Sequence, residues 1–251
     1  MKLKEKLKSP NKVLSAELCL IPSALVTQAI SAAGADAVII DQEHGAIDIT
    51  CLHSMVAATA GTTCAPLVRV PAIDSSYVKR ALDMGAEGIV FPLIKSQSEA
   101  RTCVSMTRYP PNGVRGWGPF IAQSRWQVPL MNYLPSIDKK IVCIILIETK
   151  EAVENIEEIC HIDGIDCIFL AKFDLSTALG FPGDFDHPKF KESVKKIEGS
   201  VLKSGIALGG GPANTESDAQ ELIAKGYRVI AGFDLLRLKS SVEKSISWNR
   251  L

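Results

Sequence analysis

Neither sign of charge prevails in this chain. Lys and Arg together number 28, and so do Asp and Glu. No basic field is available to draw in nucleic acid, and no block of like charge marks a solvated tail. No run of about 18 apolar residues occurs, which is the length a bilayer-spanning helix requires. The basic start MKLKEKLKSPNK is followed by a stretch that Ser15 and Glu17 interrupt, so neither a secretory signal nor a membrane span is expected. The seven cysteines (Cys19, Cys51, Cys64, Cys103, Cys143, Cys160 and Cys167) form no C-x-x-C pair. Cys143 and Cys167 sit inside apolar runs, so reduced, buried thiols in a cytoplasmic protein are expected. Histidine is scarce. His53, His161 and His187 share no ligand spacing, which argues against a three-histidine zinc site.

What the chain does contain is a rhythm. Short β-branched runs alternate with helical patterns over 251 residues. Candidate strands are Val13–Leu18, Ala37–Asp41, Pro66–Val70, Gly88–Leu93, Ile141–Ile147, Asp166–Leu170, Ile206–Gly209 and Arg228–Ala231. Runs such as IVCIILI are almost continuously apolar, as a parallel strand covered on both faces must be. Helix starts are marked by Asp74, by the Ser96 to Glu99 spacing, by Thr149 and by Thr215, and Gly226 supplies a stop. Eight strands with helices between them predict an α/β fold, a (β/α)8 TIM barrel formed as one domain over 1–251. A doubly wound open sheet is the alternative. The segment 108–140 breaks the pattern with five prolines and with Trp117 and Trp126, and reads as an ordered loop over a site or against another subunit. A C-terminal helix is predicted over about 235–248.

Barrel enzymes assemble their sites at the C-terminal ends of the strands. Here the second strand ends in Asp41-Gln42-Glu43-His44, the third near Arg69, the fifth at Glu148, and the sixth is followed by Asp174. Taken singly, each has an ordinary reading. Asp41, Glu43, Glu148 or Asp174 can cap a helix, and Arg69 can fill a buried ion pair. Their convergence on one rim is what points to chemistry. Glu148 and Asp174 offer two hard oxygen donors, too few for a closed site but suited to Mg²⁺ or Mn²⁺ with positions left open for a 2-oxo acid. Arg69 offers a bidentate fork for an oxyanion. His44 can move a proton near neutral pH, with Asp41 placed to orient its ring.

Several long segments carry a resemblance: DAVIIDQEHGAID, PLVRVPAIDSSYVKRALDMGAEGIVFPLIKS, RYPPNGVRGWG, ILIETKEAVENIEEI and FDLSTALGFPG. In these the chain resembles the class II pyruvate aldolases of the HpcH/HpaI type from about Leu14 to Leu238. The resemblance implies a barrel of the phosphoenolpyruvate/pyruvate-domain type. It implies reversible cleavage of a 4-hydroxy-2-oxo acid to pyruvate and an aldehyde, and a divalent metal (Mg²⁺ or Mn²⁺, with Co²⁺ or Zn²⁺ as other options) on Glu148 and Asp174. Arg69 would bind the pyruvyl oxygen, and His44, oriented by Asp41, would be the acid–base group. Asp83 would be contributed across a subunit interface in a homohexamer built as a trimer of dimers, although a plain exposed helix position is the other reading of that residue.

The chain also departs from the family pattern. Ala171-Lys172-Phe173 stands where a Gly-Pro pair and a small residue usually precede the aspartate. Leu146 replaces a usual Gln, and Trp117 adds bulk after Arg115-Gly116. Lys172, Phe173, Leu146 and Trp117 are therefore expected to shape substrate binding. Three alternatives stay open: related enolate chemistry (decarboxylation or condensation) or a Schiff base on Lys172, a phosphate at Gly209-Gly210-Gly211-Pro212, and a scaffold that has lost catalysis.

Overall fold

The computed structural model describes residues 3–250; residues 1, 2 and 251, which the expected domain includes, lie outside them. Eight parallel strands close in sequential order into a barrel: β1 (Leu14–Cys19), β2 (Ala37–Asp41), β3 (Ala65–Arg69), β4 (Gly88–Phe91), β5 (Val142–Ile147), β6 (Cys167–Ala171), β7 (Ala207–Gly211) and β8 (Val229–Phe233). The chain thus closes on itself, with β8 pairing to β1, and an open doubly wound sheet is excluded. All eight expected strands form, β2 with the expected ends and the others with ends displaced by at most two residues.

The strands alternate between two cores. Ala37, Ile39, Leu67, Val142, Ile144 and Leu146 pack together inside the barrel. Their neighbours Val38, Ile40, Val68, Cys143, Ile145 and Ile147 pack outward with the helices. Both faces are buried, which is why neither shows a polar alternation in sequence. The period of two also sets the direction of the strand ends. Asp41, Arg69 and Glu148 continue the inward series of β2, β3 and β5 and project into the rim. The short helix Leu3–Leu7 sends Leu3 and Leu7 into the interior cluster.

Helix starts follow the sequence signals. The side chains of Asp74, Ser96, Thr149 and Thr215 each accept a backbone N–H at the first turn. At Thr215 a reciprocal bond from Asp218 completes the capping box. At Ser96 only half the box forms, because Glu99 accepts from the N–H of Lys95 instead.

The segment 108–140 is ordered, with short helices at Ala122–Trp126 and Tyr133–Ile137. It connects the helix Gln97–Met106 to β5, and helix-to-strand connections lie at the end of the barrel opposite the site rim. It therefore does not cover the rim of its own chain. Tyr109, Trp126, Tyr133 and Ile137 are buried in the outer core. The last helix, Asp234–Trp248, buries only Asp234. No helix among the described residues is long and apolar enough to cross a membrane.

Candidate active site

The β2–β3 register places Asp41 directly beside Arg69. Both point inward, and they form a two-pronged pair: Arg69 Nε to Asp41 Oδ1 at 2.9 Å and Nη2 to Oδ2 at 2.6 Å. Asp41 is fully buried, and its Oδ1 also accepts the backbone N–H groups of Glu43 and His44. Both oxygens are thus occupied, and Asp41 orients Arg69 and the β2 turn. The expected contact between Asp41 and the His44 ring does not form. The imidazole instead has Glu43 as its neighbour, with Nε2 3.9 Å from Oε2. The His44 side chain is exposed at the rim.

Glu43, read from sequence as equally a helix cap or a rim acid and given no role of its own, is the residue whose place in the site sequence reasoning missed. Its carboxylate lies 3.2 Å from Arg69 Nη1, so the guanidinium bridges two acids. Burial pushes the Glu43 carboxyl up, against the pull of Arg69. Burial opposes the charge on Arg69, but the hydrogen bonds and charge of Asp41, with Glu43 and Glu148, carry it net upward. The signal in sequence was its place two residues beyond the end of β2.

Glu148, at the end of β5, is nearly inaccessible. Its Oε1 accepts the backbone N–H of Leu93. Burial pushes its carboxyl up to about 7, with Asp174 and Glu43 adding repulsion and the Leu93 N–H and Arg69 opposing. Asp174 lies in the first turn of the helix Lys172–Ala178 and lines the pocket at the mouth of the barrel together with Arg69, Leu146, Lys172 and Phe173. Among the described residues no three His, Cys, Asp or Glu side chains gather to form a closed metal centre. The donor set is instead two hard carboxylates, which suits a cation that keeps open positions. The electrostatics fit such an ion. Burial is the main reason the Glu148 carboxyl is raised, and Asp174 and Glu43 add to it while the one nearby guanidinium is already committed to Asp41, so a divalent charge placed beside Glu148 would favour its ionised form.

The family model for HpcH/HpaI aldolase/citrate lyase matches residues 21–240. The chain belongs to the HpcH/HpaI aldolase/citrate lyase family. It is accordingly a carbon–carbon lyase. It is 33% identical over 226 residues to a 5-keto-4-deoxy-D-glucarate aldolase of Salmonella paratyphi C, covering 89% of this chain and 87% of that one. An HpcH/HpaI family structure from Burkholderia cenocepacia J2315 superposes with a TM-score of 0.92 at 29% identity, covering 99% of each chain. A macrophomate synthase structure superposes with a TM-score of 0.88 at 28% identity, covering 99% of this chain and 89% of that one.

Within one chain of this family member, two expected site residues stand apart. Asp83 ends the helix Ser75–Asp83, which runs back from the rim, so it lies at the opposite end of the barrel. There it pairs with buried Arg115 at 2.9 Å, and burial holds its carboxyl above the usual range against that partner. Trp117 packs edge-on against Phe120 with ring centres 5.3 Å apart, and its neighbours Gly116 and Gly118 lie against Lys79 and Asp83. Trp117 does not line the pocket of its own chain. The glycines of β7 serve packing: a Cβ on Gly209 would meet Phe169 at 2.6 Å, and one on Gly210 would meet Tyr227 at 2.5 Å. Close approach to these rings accounts for both residues without a phosphate.

Proposed function

We propose that the protein cleaves a 4-hydroxy-2-oxo acid reversibly to pyruvate, or a related 2-oxo acid, and an aldehyde. The observation that carries this reading is that the buried Glu148 feels the charges of both Asp174 and Arg69, and that Asp174 and Arg69 themselves line the pocket at the mouth of the barrel. Glu148 and Asp174 would hold a divalent cation, Mg²⁺ or Mn²⁺ by preference for hard oxygen donors, with Co²⁺ or Zn²⁺ also compatible. When bound, it supplies Lewis acidity to the carboxylate and keto oxygens of the substrate.

The remaining work falls to the chain's own side chains. Arg69, held rigid by Asp41, donates to the keto oxygen and stabilises negative charge there as the C3–C4 bond breaks. His44, beside Glu43, takes the proton of the 4-hydroxyl as the aldehyde forms, and a proton returned to C3 completes pyruvate. Leu146, Lys172 and Phe173 contact the substrate from the pocket wall.

Asp83 and Trp117 would act on a neighbouring subunit, in a hexamer arranged as a trimer of dimers. Support for assembly comes from the last helix, where Leu235, Leu238, Val242 and Ile246 form one stripe at three- and four-residue spacing and are exposed. The seven cysteines are all free thiols, in keeping with a cytoplasmic enzyme.

Lys172 on the pocket wall supports a second reading, in which it forms a Schiff base with the 2-oxo acid. That reaction is trapped by borohydride and ignores EDTA. The deciding measurement is exchange of the pyruvate methyl protons in D₂O, with and without Mn²⁺ or Mg²⁺. Metal-dependent exchange that Glu148→Ala abolishes is expected; exchange that persists in the variant overturns the ligand assignment.

A further inference from the structure

Of the aromatic residues that line the pocket, Phe169, Phe173 and Phe233, one is held in an unusual way. Phe173 lines its mouth, three strands around the barrel from Arg69. The residue is 55% exposed, and an exposed ring on a helix start ordinarily moves between rotamers. This ring is braced. It meets Phe185 nearly perpendicular, at 82° with ring centres 5.0 Å apart, the edge-to-face arrangement that aromatic quadrupoles favour. Phe185 in turn packs on Phe190 at 5.4 Å, and Phe190, in the first turn of the helix Pro188–Ser204, is buried in the outer core.

The backbone is tied to the same loop. The Ser176 hydroxyl donates to the Phe173 carbonyl at 2.8 Å and accepts the Gly183 N–H at 3.0 Å. Thr177 Oγ1 donates to that carbonyl as well, at 2.9 Å. The loop is stiffened further by Phe181 stacked on His187, which itself caps the following helix. A continuous packed path thus runs from the core to a ring at the pocket mouth.

We propose that Phe173 is the specificity-determining wall for the aldehyde and that Phe185 is its positioning residue, so that the site selects short aldehydes over long ones. The inference rests on the aldol reading above. A ring fixed by packing excludes added methylenes, whereas a ring free to rotate would swing aside for them. Phe185 does not line the pocket and acts through Phe173 alone.

The test is condensation of pyruvate with propanal and with hexanal by the full-length, metal-loaded protein, read as the ratio of the two kcat/KM values. The wild type is expected to favour propanal. Phe173→Ala should lower that preference by about tenfold or more, the scale on which one or more methylenes are discriminated. Phe185→Ala should lower it several-fold, leave the rate of pyruvate methyl exchange at the wild-type value, and be reversed by Phe185→Tyr. Phe185→Leu, which keeps bulk and loses the ring edge, gives the same reading if the alanine variant does not fold. A wild-type ratio in Phe185→Ala or Phe185→Leu, or a hexanal preference in the wild type, overturns the inference while methyl exchange persists. Loss of methyl exchange in the wild type itself overturns the aldol reading and this inference together.

Discussion

The backbone N–H of Leu93 points at Oε1 of Glu148, 55 residues further along the chain. To do so Leu93 adopts φ of 56°, a left-handed conformation that costs a non-glycine residue roughly 1–2 kcal/mol. Its side chain gains little burial in return, being 52% exposed. Strain of this kind persists where the surrounding structure imposes it, and here it delivers a donor to a carboxylate that burial would otherwise leave uncharged.

The Glu148 carboxyl, pushed up to about 7 from an ordinary value near 4.5, makes the metal-free protein sensitive to pH. The folded state holds this proton more tightly than the unfolded chain, so its stabilising effect is complete below about 4.5 and is lost as pH rises through 7. The difference is on the order of 3 kcal/mol at most, since each pKa unit is worth about 1.4 kcal/mol. In EDTA, urea denaturation should show the wild type losing stability relative to Glu148→Gln between pH 5 and 7.5, and Mn²⁺ should close the gap at the upper end. Equal pH dependence in the two proteins counts against the assignment. Metal affinity should also fall about tenfold per pH unit below 7, because binding displaces this proton.

Arg69 neutralises a fully buried Asp41. Arg69→Met leaves that carboxylate uncompensated and should destabilise the protein by about 3–5 kcal/mol. Adding Asp41→Asn should recover a large part of that loss, because the stranded charge is gone. Activity should not return in the double variant, since the fork itself is missing. Chemical denaturation and kcat/KM measured on the wild type, Arg69→Met and the double variant separate the two effects; recovery of turnover would exclude Arg69 from the chemistry.

Asp83 and Glu148 lie at opposite ends of one barrel, so an Asp83 that serves catalysis must serve another copy. Asp83→Asn and Glu148→Ala should each be inactive alone. Dissociated together and reassembled, they should yield active mixed oligomers, because some sites then combine an intact Glu148 with a neighbour's intact Asp83. The recovered rate after mixing is the readout, and its absence in oligomers shown to be mixed removes Asp83 from the site.

The sequence by itself determined the eight strands and the identity of most rim residues. Apolar runs covered on both faces fix a parallel strand from local composition, and the period of two fixes that Asp41, Arg69 and Glu148 point inward with the residues before them. Helix starts at Asp74, Thr149 and Thr215 were equally local, each a side chain bonding a backbone group within three residues.

Only the tertiary structure decided which of these groups meet. Strand register set Asp41 against Arg69 and away from the His44 ring, and it made Glu43 the second partner of the guanidinium. The return of each helix to the far end of the barrel carried Asp83 and Trp117 away from the rim that their sequence neighbours build. Composition and periodicity act over a few residues, whereas contacts between strands and between ends of a barrel depend on closure. That is why the donor from Leu93 and the brace from Phe185 become visible only once the chain is folded.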